Sequence, residues 1–84
     1  MAVNWKQFTP AAFEYDESAD KLADHEVSFD EAVETFSNDF TVRRNKHFGD
    51  RYQLIGRTHG GRRLKIIFQL KSNRVVRIIT GWGI

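Results

Sequence analysis

The sequence predicts an α+β domain with two N-terminal helices packed on one face of a three- to four-stranded antiparallel sheet. Three observations predict it. Apolar residues recur at helical spacing only in the first half of the chain, and alternate with a period of two only in the second. Length sets one domain: 84 residues bury a single core. Charge divides the chain at the same place. Residues 1–40 hold two bases against ten acids, a net −8, and residues 41–84 hold eleven bases against Asp50 alone, a net +10. The single domain spans 1–84, with an N-terminal arm at 1–12, a core at 13–80 and a tail at 81–84.

The elements follow in order. Pro10 and the Ala11-Ala12 pair close the arm. Phe13-Glu14-Tyr15 alternates and suits a short edge strand. Asp16 reads as the N-cap of a first helix over 17–25, with Ala19, Leu22 and Ala23 as its apolar stripe. Ser28-Phe29-Asp30-Glu31 reads as a capping box opening a second helix over 29–37. Phe29, Ala32, Val33 and Phe36 share one face of it. Ser37-Asn38-Asp39 ends it. Residues 40–44 suit a strand, and 45–50 a polar connection. Residues 51–58 form a strand, His59-Gly60-Gly61 a turn, 63–70 the clearest strand, Lys71-Ser72-Asn73 a turn, and 74–80 the last strand. Leu64, Ile66, Phe68 and Leu70 lie on one face of their strand. With Phe29, Val33 and Phe36 they define the expected core.

The opposite sheet face collects the bases. Arg51 and Arg57 alternate with core positions on one strand, Arg63 and Lys65 on the next and Arg77 on the last. Arg57, Lys65 and Arg77 are expected to converge there, interleaved with Ile55, Ile67, Val75 and Ile79. A mixed basic and apolar face suits an anionic partner, and nucleic acid is the commonest. A solvated face, or attraction between the two halves of the chain, explains the same charges without a partner.

Several site types lack their residues. With no cysteine, disulfides, Cys-ligated zinc and thiol chemistry are excluded. His25, His47 and His59 lack metal-ligand spacing, so no metal or cofactor is expected. Gly60-Gly61 is a turn without the Gly-Lys-Ser/Thr of a phosphate loop. No run of 18 apolar residues is present and the first residues lack the order of a secretion signal, so a cytoplasmic location and no membrane partner are expected.

The order of motifs resembles the BrnT toxins of bacterial type II toxin–antitoxin pairs. The residues that carry the resemblance are Phe13-Glu14-Tyr15-Asp16, the run from Asp24-His25-Glu26 through Val27-Ser28-Phe29-Asp30-Glu31-Ala32, and Phe36 with Asp39. They continue with Arg51-Tyr52, Leu54-Ile55-Gly56-Arg57-Thr58, Gly61-Arg62 and Val76-Arg77-Ile78-Ile79-Thr80. The resemblance covers about residues 13–80. It departs at Asp24-His25-Glu26, where the family has Lys-His-Gly, and at Gly81-Trp82, where the family has Ala-Arg.

The resemblance implies a RelE-like fold and a metal-independent endoribonuclease, with mRNA as substrate and an antitoxin as partner, one that carries a ribbon-helix-helix DNA-binding domain in some pairs. Such cleavage attacks phosphorus with the neighbouring 2′-oxygen. It needs a base, an acid and cations for the charge that develops. Arg57 and Arg77 are expected to hold the phosphate and Lys65 to add a point charge or a proton. His47 and His59 are the acid–base candidates, ahead of Tyr52 and His25. Arg51, Arg63 and Trp82 extend the RNA surface, with Trp82 either stacking on a base or capping the core. Ile55, Arg57, Lys65, Ile67 and Arg77 are the expected antitoxin contacts. The alternative is a non-catalytic module of degenerate toxin fold that only binds nucleic acid or the antitoxin.

Overall fold

The computed structural model describes Trp5 and residues 8–15, 22–44 and 51–84. Strands β1 (Ala12–Tyr15), β2 (Phe40–Arg44), β3 (Arg51–Arg57), β4 (Arg63–Lys71) and β5 (Val75–Gly83) form one sheet, and α1 (Phe29–Thr35) covers it. The sheet order is β1-β5-β4-β3-β2. β1 runs parallel to β5, and every other pairing is antiparallel. This corrects the expected two helices on three to four antiparallel strands, and with it that form of a RelE-like fold. The described residues give a five-stranded mixed sheet and one short helix.

Two physical reasons account for the difference. Alternation marks Phe13 and Tyr15 as a strand but says nothing of its partner. Ala12 to Tyr15 align with Val75 to Ile78, so the edge strand is parallel. The expected first helix is described only from Leu22, and residues 16–21 lie outside the described ones. From there the chain makes a single 3-10 turn, Ala23–His25. The carbonyl of Leu22 accepts from the N–H groups of His25 and Val27, both at 3.0 Å. Glu26 takes φ 59°, the left-handed conformation that glycine favours.

The capping box forms as the sequence indicates. Glu31 N–H donates to the Ser28 hydroxyl at 3.1 Å, and Ser28 N–H donates to the Glu31 carboxylate at 3.2 Å. Acids in this first turn also suit the helix dipole. The helix ends at Thr35, with Phe36 as its C-cap.

Apolar side chains of α1, β3, β4 and β5 then share one core. Phe68 is its centre, with ring centroids 5.2 Å from Phe36, 5.6 Å from Tyr52 and 5.7 Å from Trp5. Leu54, Leu64, Ile66, Val76 and Ile78 surround it, all buried. Phe29 only packs against this cluster from its margin, and Val33 is half-buried. Thr35 takes the buried position instead, its hydroxyl donating to the Ala32 carbonyl at 2.6 Å. That bond satisfies a polar group which burial would otherwise penalise.

The last strand is longer than expected, and residues 81–83 are not a tail. Ile67 aligns with Thr80 but Phe68 with Ile78, so Ile79 is an extra residue on β5. Such a bulge reverses the alternation beyond it. Gly81 therefore faces the core. A Cβ there would lie 2.5 Å from Ile66 Cδ1 and 3.0 Å from the Lys65 carbonyl oxygen. A larger residue would force its neighbours to shift, and Thr80 and Trp82 on either side are turned to the opposite face.

Candidate functional site

The face away from α1 is read row by row from the pairing. At the β3–β4 turn, Arg57 lies directly opposite Arg63. The next row is Thr41, Ile55, Lys65 and Trp82, on β2, β3, β4 and β5. Below it come Arg43, Gln53, Ile67 and Thr80, and then Arg51, Gln69, Arg77 and, on β1, Glu14. Arg43, Arg57, Arg63 and Arg77 are exposed, and Lys65, Ile55 and Trp82 are half-buried.

The turn itself is closed by Thr58. Its N–H donates to the Arg62 carbonyl at 2.9 Å, and its hydroxyl accepts from Arg62 N–H at 3.1 Å. Gly61 completes the turn at φ 89°. Arg62 then points to α1, where its guanidinium meets Glu31 at 3.2 Å and the Glu26 carbonyl at 2.8 Å. The Ser28 backbone N–H, and after it the Arg62 guanidinium, hold the Glu31 carboxyl below its ordinary pKa. Arg62 is thus a latch between turn and helix, and the pairing leaves Arg57 and Arg63 to the open face.

Beside that pair lies a cleft of about 300 Å³. Asp39, Phe40 and Thr41 form one wall, and Ile55, Arg57 and Arg63 the other. The cleft exists because β2 begins at Phe40, opposite Gly56, so Arg57 lies beyond the paired length of β2. A Cβ at Gly56 would lie 3.1 Å from Phe40 Cβ, which keeps the two strands close at this point. Arg57, Arg63 and Asp39 are the charged residues among those that line it.

The expected convergence of Arg57, Lys65 and Arg77 divides. Lys65 is one row from the Arg57/Arg63 pair. Arg77 aligns with Gln69, four residues further along β4, or about 13 Å at the rise of a strand. Its β1 neighbour is the acid Glu14, which binds Lys71 at 2.9 Å. Arg51 is in this distant row, half-buried. Val75 stays on the open face, but the bulge removes Ile79 from the alternating register. Ile67, an expected antitoxin contact, is 7% exposed and offers little surface.

The acid–base candidates are also dispersed. His47 lies outside the described residues. His59 is in the β3–β4 turn and is tied to the helix side. Its N–H donates to the Glu34 carboxylate at 2.9 Å, and its ring Nδ1 is 3.2 Å from the Asn38 side-chain nitrogen. That same Asn38 nitrogen donates to the Arg57 carbonyl at 2.8 Å, clamping the strand end that carries Arg57. Tyr52 packs in the core against Phe68, with the Arg44 guanidinium 5.8 Å from its ring centre. His25 is exposed, its ring 5.9 Å from that of Trp82.

Asn38 and Asp39 were given no site role from the sequence, although Asp39 is among the residues that carry the resemblance. They read as the end of a helix, and only the fold brings them to Arg57. Among the described residues, no group of three His, Asp or Glu is placed to hold a metal ion. No described helix is long and apolar enough to cross a membrane. No family model matches the chain, and no curated protein matches it.

Proposed function

We propose that the protein binds RNA at the Arg57/Arg63 end of the open sheet face and cleaves it there, as the toxin of a toxin–antitoxin pair. One observation carries this reading. Arg57 and Arg63 are directly opposed across β3 and β4, beside a cleft. Like charges in that position destabilise a sheet. A phosphate lying between them removes the repulsion and gains two charge-assisted contacts. The motif order shared with the BrnT toxins supplies the reaction and the cytoplasmic setting.

In this reading the 2′-oxygen forms a bond to the adjacent phosphorus and the bond to the 5′-oxygen breaks. The products are a cyclic 2′,3′-phosphate and a 5′-hydroxyl. Arg57 and Arg63 hold the non-bridging oxygens, and Lys65 adds positive charge as the phosphorane forms. The Asp39 carboxylate, on the facing wall of the cleft, accepts the 2′ proton, and the Lys65 ammonium, one row from Arg57 and Arg63, gives a proton to the leaving 5′-oxygen. The antitoxin covers the same end with acidic side chains and packs on Ile55.

The test is single-turnover cleavage of a labelled RNA beside binding of the same RNA. Arg57→Gln is expected to lower the rate by about 10²–10³-fold, with a much smaller loss of affinity. EDTA is expected to leave the rate unchanged. Equal losses of rate and affinity would leave a docking module without catalysis. The position of His59 favours that second reading, since its ring is engaged by Asn38 on the helix side.

A further inference from the structure

Trp82 belongs to the sheet face and not to the core. The bulge at Ile79 and the buried Gly81 turn it outward, opposite Lys65 on β4. It is half-buried, and it is not among the aromatic side chains that pack against the core. Its ring has the Lys65 ammonium 5.8 Å from its centre on β4 and the His25 ring 5.9 Å away. The bulge and the buried Gly81 thus place a tryptophan opposite Lys65, with Arg63 its diagonal neighbour.

We infer that Trp82, flanked by Lys65 and His25, seats one unpaired RNA base whose phosphate lies on Arg57 and Arg63. This rests on the reading of that face as an RNA site and adds what it recognises. Arg63 and Trp82 are diagonal neighbours across β4 and β5, so their Cα atoms are about 7–8 Å apart. That is the span of a single nucleotide from phosphate to base. Stacking needs a free base face, which a duplex does not offer. The Lys65 ammonium is at the outer limit of a cation–π contact. A base takes the ring from it and leaves Lys65 to the phosphate. The site therefore selects single-stranded RNA, with base identity read weakly, because every base has a stacking face.

The chain has two tryptophans, Trp5 and Trp82, so fluorescence isolates the second in a Trp5→Phe variant. That variant is titrated with a six-nucleotide adenosine RNA, an abasic oligomer of equal length, and a duplex containing the same RNA. Saturable quenching is expected with the single strand alone. Trp82→Leu is expected to weaken binding of the single strand roughly 5- to 100-fold and to leave the abasic oligomer unaffected. Trp82→Phe should retain most of the affinity, which separates lost stacking from lost folding. Equal quenching by all three ligands, or equal weakening of both oligomers by Trp82→Leu, overturns the base seat while leaving the phosphate site standing. Failure of the unaltered protein to bind either oligomer overturns both.

Discussion

The two ends of the open sheet face carry the same kind of residue in opposite arrangements. Near the β3–β4 turn, Arg57 is paired with Arg63 across the strands, with Lys65 and Trp82 in the next row. At the far end, Arg77 faces Gln69 and has Glu14 for a neighbour, and Glu14 binds Lys71. The far end is arranged as a solvated surface is, with unlike partners that cost little and contribute little. The near end keeps a repulsion that one substitution would remove. A basic composition alone therefore does not distinguish the two ends, and the proposed site rests on the opposed like charges beside a cleft.

The largest expected effect breaks the comparison in catalysis. Arg63→Gln should slow single-turnover cleavage about 10²–10³-fold, as is expected of Arg57→Gln, and Arg77→Gln should change it less than about threefold. A loss at Arg77 equal to that at Arg63 would merge the two ends. The next concerns the device that separates the faces. Gly81→Ala places a methyl against Ile66 and the Lys65 carbonyl. It should cost about 1–3 kcal/mol in chemical denaturation and lower the affinity for single-stranded RNA. A neutral Gly81→Ala would mean that the bulge does not fix the register.

Smaller effects sharpen the same contrast. Arg63→Gln should stabilise the free protein at low salt by about 0.2–1 kcal/mol, and Arg77→Gln should not. The gain should fade as salt screens the pair. At Glu26, held at φ 59°, substitution by glycine should stabilise by up to about 1 kcal/mol. Both are read from melting curves.

The smallest is a pH effect at the Arg62 latch. The Glu31 carboxyl is held below its ordinary value of 4.5, first by the Ser28 N–H and then by Arg62. Its contribution to stability is thus present above pH 4.5 and is lost as pH falls through the folded value. The stability difference between the unaltered protein and Glu31→Gln should shrink below that pH. A difference that grows on acidification would contradict the latch.

The fold class was not legible, but single elements were, where local chemistry decided them. Ser28 and Glu31 cap α1 as their spacing demands, and the alternation at Leu64, Ile66 and Phe68 places those residues in the core. The parallel pairing of β1 was not legible, since a four-residue alternation carries no direction. Nor was the bulge. The apolar pairs Val75-Val76 and Ile78-Ile79 suit either face of a strand, and the extra residue shows only when Ile67 and Phe68 find their partners. Arg57 and Arg63 were both legible as bases of the open face, but their opposition depends on the length of the β3–β4 turn. Asp39 reaches the cleft through tertiary packing, so its place in a motif gave it no site role.

The most direct measurement is the salt dependence of single-stranded RNA binding. The logarithm of affinity falls with the logarithm of salt concentration, with a slope set by the number of phosphates neutralised. Each phosphate contact removed should reduce that slope by about 0.7. The account predicts this reduction for Arg57→Gln and for Arg63→Gln, and an unchanged slope for Arg77→Gln. A reduced slope for Arg77→Gln, with the other two unchanged, would place the RNA backbone at the far end and contradict the account.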